Sequence, residues 1–219
     1  IVHALNAAGV EAVDAIAYSH WDPDHTLGMR VMEQLRLDWL AHSEDRLQPD
    51  PLPVYALDGV LLQLYGIRSP FGPFLAYYEK MGLARPETVD APVCFEEITM
   101  TLIPVDDTRQ VTVFVFEQNG RKLIYAPCDV KPFPESPLFR GADVLLIGNT
   151  MVGPVLKGGF VPKADNPLRD ILFSVEEVLA LRNQHGIKRA IITHLEEDWG
   201  KSYDDYRALA AGHEGLDFA

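Results

Sequence analysis

Cysteine is scarce in this chain. Cys94 and Cys128 are the only two, they stand on different predicted segments, and they form no CxxC pair. That excludes a disulfide framework and makes a reducing cytoplasm the expected location. Long apolar runs are missing as well. Nothing approaches the roughly eighteen uninterrupted apolar residues of a membrane-spanning helix, so no membrane partner is expected. Positive charge is in short supply, with 19 Lys and Arg against 32 Asp and Glu and a net charge of −13. That balance argues against a nucleic-acid footprint, which needs a basic face, though it leaves room for a local basic patch around one phosphate. No secretory signal opens the chain. Ile1 begins inside a helical pattern and is not a Met, so N-terminal residues are expected to precede it.

The 219 residues are 47% hydrophobic, enough for a substantial core, and hold 16 Gly and 16 Pro, which imply many turns. Residues 2–12 read as a helix ending near Gly9, and 15–19 as a short buried strand. Residues 27–42 carry Leu27, Val31, Met32, Leu35 and Trp39 near helical spacing, with Thr26 placed to cap that helix. PVYAL (53–57) is a strand. Residues 58–90 are rich in aromatics around a helical stretch at 73–83, and read either as a lid insertion or as a helix packed on the core. Strands follow at 95–104, 111–117 and 122–127, the last two joined by the hairpin signal Asn119-Gly120. DVLLIGN (143–149) is a buried strand and 151–167 a long loop. Ser174 and Glu177 form a capping box for a helix that stops at His185-Gly186. RAIITH (189–194) is a strand ending at a histidine, and 201–211 is a last helix. Strand pairs come first and strand–helix alternation later, which predicts an α/β layered domain over 1–219.

Chemistry concentrates at His20-Trp21-Asp22-Pro23-Asp24-His25. Two histidines and two aspartates fall within six positions, straight after an apolar run. Such a set makes a poor core and a poor turn but a good set of metal donors; imidazole and carboxylate together suit Zn, Mn or Fe. Residues two apart in an extended segment point the same way, so His20 and Asp22 are placed to share one ion, with Asp24 and His25 turned toward a second. Asp129 and His194 follow two later strands, where an α/β scaffold places reactive groups.

These residues carry a resemblance. SHWDPDHTLG is similar to the metallo-β-lactamase-fold signature, Thr-His-x-His-x-Asp-His-x-x-Gly, with Ser19 in place of Thr and Gly28 as the final Gly. NGRKLIYAPCD resembles the strand that delivers the bridging aspartate, and AIITH the segment that ends in the last metal histidine. The match spans 13–195 and looks closest to the phosphonate-pathway cyclic phosphodiesterases and their tRNase Z-like relatives. It implies an αββα sandwich with a dinuclear site at one edge. One ion would have Asp24, His25, Asp129 and His194. The other would have His20, Asp22 and Asp107, with Asp106 an adjacent alternative. Asp22 and Asp107 stand where the signature has histidines, and harder oxygen donors favour Mn or Mg over Zn.

The resemblance implies a hydrolase with two divalent ions (Zn, Mn or Fe), in which Asp129 bridges and Asp24 both ligates and holds the attacking water. Glu197 occupies the position of a leaving-group acid, or is a surface carboxylate. Lys157 and Lys163, in the long loop, are candidates for holding a phosphate. The expected substrate is a small or cyclic phosphodiester. Alternatives are an ester, lactone or thioester, or a non-catalytic binding protein with a degenerate site. A homodimer is compatible with the sequence.

Overall fold

A computed structural model describes residues 2–106 and 110–219. The chain divides into two compact units, Ile1–Asp90 and Ala91–Ala219. The first holds α1 (Val2–Ala7), β1 (Ile16–Ala17), α2 (Pro23–Thr26), α3 (Val31–Arg36), α4 (Trp39–Ser43), β2 (Leu52–Ala56), α5 (Asp58–Leu64), the short strands β3 (Arg68–Ser69) and β4 (Gly72–Pro73), α6 (Phe74–Lys80) and β5 (Ala84–Thr88). Among the described residues β1, β2 and β5 form a parallel sheet in the order β1-β2-β5. The strand β2 alternates buried and half-buried residues, and Val54 and Ala56 pack with Val60 and Leu64 of α5 and Leu75 and Tyr78 of α6. Within 58–90, therefore, two helices contribute to this core and β5 completes the sheet. The β3–β4 ribbon carries the exposed Phe71 between its strands.

Residues 27–42 are not the single helix that their apolar spacing predicts. A 3-10 turn covers Leu27–Arg30, α3 follows, and Leu37 leaves helical geometry at φ −88°, ψ 111°. Asp38 then starts α4, its carboxylate accepting from the N–H groups of Leu40 and Ala41 at 2.9 Å each. A local cap of this kind competes with continuation of the helix. Thr26 is not the predicted cap either. Its hydroxyl donates backward to the carbonyls of Trp21 and Asp22, both at 3.0 Å.

The second unit holds β6 (Val93–Phe95), β7 (Ile98–Pro104), β8 (Thr112–Gln118), β9 (Arg121–Ala126), β10 (Val144–Gly148), α7 (Leu168–Ile171), α8 (Val175–His185), β11 (Arg189–Thr193), α9 (Tyr203–Ala211) and β12 (Leu216–Phe218). Among the described residues its sheet runs β12-β11-β10-β9-β8-β7-β6. The β6-to-β9 portion is an antiparallel meander, and β9 to β12 are parallel. Asn119 and Gly120 link β8 to β9 with positive φ at both residues (51° and 75°), the conformation a two-residue hairpin turn requires. Ile124, Leu145, Ile147 and Ile192 of the parallel strands are fully buried with Val178 of α8, each worth about 1.5–3 kcal/mol relative to exposure. The capping box at Ser174 and Glu177 is present, and α9 opens with a second one at Ser202 and Asp205. Helical connections force β10 and β11 into parallel register, so the chain leaves β9, β10 and β11 on one side of the sheet.

Candidate metal centre

In the first unit the cluster begins where β1 ends. The Tyr18 N–H donates to Tyr55 O of β2 (3.0 Å), so Ser19 and His20 leave the sheet in a fixed direction, both buried. Burial, then the neighbouring Tyr78, holds the Tyr18 phenol well above its usual pKa, so it stays neutral beside the cluster. The Ser19 hydroxyl lies 2.9 Å from His20 Nδ1 and orients the ring. That leaves Nε2 facing Asp22, whose Oδ2 is 3.7 Å away. This is too long for a hydrogen bond. It is close to the separation of about 3.3 Å that two ligands keep when each sits about 2.0–2.1 Å from one tetrahedral ion.

The turn of α2 supplies the other two donors. Pro23 stands in its first turn and Asp22 in the capping position, yet the Asp22 side chain makes no cap bond. The two Thr26 hydroxyl bonds fix the same turn from its far end. Asp24 Oδ2 and His25 Nε2 are 3.1 Å apart, and the His25 ring centroid is 4.1 Å from that of His20. A nitrogen of each ring falls within 4.8 Å of the other. One short segment thus holds two close donor pairs, His20–Asp22 and Asp24–His25, with the two imidazoles side by side, donor types that suit a divalent transition metal.

In the second unit the donors stand at strand ends. Asp129 comes three residues after β9 and His194 directly after β11. Asn149, directly after β10, lies between them in sheet order and has no counterpart in the sequence reading. All three adopt left-handed backbone, with φ of 53°, 49° and 53° for Asp129, Asn149 and His194. Gly148 makes this crowding possible. A Cβ there would sit 1.4 Å from the Pro127 carbonyl oxygen and 3.4 Å from His194 Cβ. His194 Nε2 meets Glu196 Oε1 at 3.0 Å, a partner that sequence reasoning missed. The Asn149 Oδ1 atom is buried without a protein hydrogen bond. A cavity of about 580 Å³ opens here, lined by Asp129, Asn149, Lys157, Phe160, Glu196 and Trp199.

The remaining expected residues divide. Glu197 is 86% exposed at its side chain and forms an ion pair with Lys157. Lys163 is exposed, and its carbonyl accepts from Arg169 Nε at 2.9 Å. Asp106 is half-buried beyond β7, and Asp107 lies outside the described residues.

The model of a family described as the β-lactamase superfamily domain matches residues 3–195. The chain belongs to that superfamily. No curated protein matches it. Among solved structures, this superfamily member is similar to the metallo-β-lactamase fold protein YhfI from Bacillus subtilis, at 14% identity and a TM-score of 0.66. That match covers 100% of this chain and 79% of the other. A diphosphatase from the PhnP family gives 13% identity and a TM-score of 0.66 over 100% of this chain and 73% of its own. Zinc-bound PqqB from Methylobacterium extorquens gives 17% and 0.59 over 94% and 70%. The superfamily and these likenesses bear out the expected α/β metallo-β-lactamase fold, and the PhnP-family likeness bears out the expected neighbourhood. Among the described residues no helix is long and apolar enough to cross a membrane.

Proposed function

We propose that this chain is a metal-dependent hydrolase whose two units act as one metallo-hydrolase domain. The observation that carries the reading is the two donor pairs His20–Asp22 and Asp24–His25, with their imidazole rings 4.1 Å apart, in a member of the β-lactamase superfamily. His20 and Asp22, with Asp107, would hold one ion; Asp24, His25 and His194 the other; and Asp129 would bridge them. Bound divalent ions supply Lewis acidity, lowering the pKa of a water and polarising the bond to be broken. Ser19 fixes the His20 ring from behind and Glu196 engages His194, the supporting role that outer partners play for metal-binding imidazoles. Asp24, an acceptor with its side chain 54% exposed, would hold the attacking water and receive its proton.

The substrate in this reading is a small phosphodiester. The net charge of −13 opposes a large polyanion such as tRNA. Lys157 and Lys163 stand in the loop assigned to the phosphate, and Glu197 would act as leaving-group acid only once parted from Lys157 and protonated. The Lys157–Glu197 ion pair favours a second reading, in which the substrate is an uncharged carboxylic ester, lactone or thioester and that lysine is already neutralised.

Elemental analysis of the purified protein, then reconstitution of chelator-stripped protein with Mn or Zn, tests the proposal. Two ions per chain and metal-dependent hydrolysis of bis-p-nitrophenyl phosphate are expected, both lost in Asp129→Asn. Hydrolysis of p-nitrophenyl acetate alone would select the second reading. Metal-independent behaviour toward both substrates would overturn the hydrolase.

A further inference from the structure

The first unit contains a recess of about 680 Å³, within the size range of small-molecule pockets, about 300–1,000 Å³. Its lining includes Thr26, Leu27 and Met29 and, from the β3–β4 ribbon and α6, Phe71, Phe74 and Tyr77. Leu27 is 82% and Phe71 99% exposed, so large apolar surface at the mouth leaves water only if something occupies the recess.

The polar groups of the lining answer one another. Arg30 Nε meets Glu33 Oε2 at 3.4 Å. The Ser69 hydroxyl donates to Gly72 O and accepts from the Phe71 N–H. The Tyr78 phenol is kept neutral, its pKa pushed up by burial and then by Glu33 and Tyr77. A charged guest would lose hydration here against a lining whose charges already cancel, whereas a flat apolar guest would meet four aromatic rings. The recess also adjoins the donor cluster. Thr26, in its wall, is the last residue of α2, the turn that carries Asp24 and His25, and its hydroxyl bonds tie it to Trp21 and Asp22.

We propose that this recess is the subsite for an uncharged, aryl-sized group of the substrate, which makes the substrate a small diester or ester with one apolar aromatic arm. The assignment to substrate rests on the hydrolase reading above; the binding of an aryl group does not. The test therefore has two arms. Calorimetric titration with 2-naphthol, on metal-loaded and metal-stripped protein, reads the recess alone. Steady-state kinetics on 2-naphthyl and methyl p-nitrophenyl phosphate, with the metal-loaded protein, reads its use. Phe71→Glu alters an exposed position and Tyr77→Ser a half-exposed one.

The expected result is naphthol binding with or without metal, weakened on the order of tenfold by each variant. The preference in kcat/KM for the naphthyl over the methyl diester, whose only aryl group is the p-nitrophenyl leaving group, should fall by a similar factor. Absence of naphthol binding, or binding unchanged in both variants, overturns the recess. So does a wild-type dimer that Phe71→Glu dissociates, because the recess would then belong to a second copy. Naphthol binding that is lost in the variants, with no diester hydrolysed under any metal, keeps the aryl site and overturns only the hydrolase.

Discussion

Replacing Gly148 by alanine probes the packing that brings the second unit's donors to neighbouring strand ends. The new Cβ would lie 1.4 Å from the Pro127 carbonyl oxygen and 2.5 Å from its carbon, both backbone atoms. No side-chain rotation relieves that overlap. The chain after β9 has to retreat until the oxygen is beyond 3.0 Å, more than twice its present distance. Pro127 precedes Asp129 by two residues, so the retreat carries the proposed bridging carboxylate with it. Overpacking of this kind costs about 1–3 kcal/mol, which for a chain of this size lowers Tm by roughly 2–12 °C. The effect on activity should be larger, because a shift of about 1 Å at a reacting centre removes on the order of a hundredfold in rate. Circular dichroism melting, metal content and kcat/KM on bis-p-nitrophenyl phosphate measure the three consequences. A Gly148→Ala protein with full metal content, an unchanged Tm and kcat/KM within about twofold of the parent would mean that Pro127 and Asp129 keep their places without glycine at 148.

Other substitutions separate the roles of individual groups. Ser19→Ala removes the hydroxyl 2.9 Å from His20 Nδ1 and should weaken metal binding by about 10–100-fold with little change in Tm, read by competition with a chromogenic chelator. Asp22→His exchanges an oxygen donor for nitrogen, so the metal that best restores activity should move from Mn toward Zn; an unchanged order in reconstitution assays would remove Asp22 from the site. Glu177 sits against Lys131 at 2.8 Å. Its burial alone would raise its pKa, but the bonds from Lys131 and the Ser174 N–H hold it below the usual 4.5. The stabilisation is therefore complete above pH 4.5 and is lost as the pH falls below it. Glu177→Gln should lower Tm at pH 7 and converge with the parent in acid; a Tm gap that persists at pH 2–3 would contradict the linkage.

Much of the fold is legible where local chemistry and tertiary packing agree. The capping box at Ser174, the Asn119-Gly120 turn and the apolar runs of β9, β10 and β11 each carry their own signal, and the structure forms them close to the predicted bounds. The candidate donor cluster stands out as well, because two histidines and two aspartates within six residues have no good structural use. The failures have physical causes. Asp38 interrupts a good apolar helix period by taking two backbone N–H groups, and a periodicity reading does not register that competition. The strand β5, Ala-Arg-Pro-Glu-Thr, lacks a strand's alternation because it lies at a sheet edge, where Pro86 is tolerated. Glu196 and Asn149 were missed because their relevance comes from place. The one usable hint was Gly148-Asn149 closing an apolar strand, a small residue followed by one that accepts left-handed backbone.

The left-handed residues at the ends of β9, β10 and β11 set thermal robustness against chemistry. Asp129, Asn149 and His194 all occupy left-handed backbone, which costs an L-residue roughly 1–2 kcal/mol, less for Asp and Asn, and glycine least of all. Glycine at any one of them would relax the backbone while deleting a polar side chain from that rim of the sheet. A library of this protein sorted for heat resistance alone would therefore enrich glycine at 129, 149 and 194. The hardiest clones would be the ones stripped of the groups that the proposed chemistry requires.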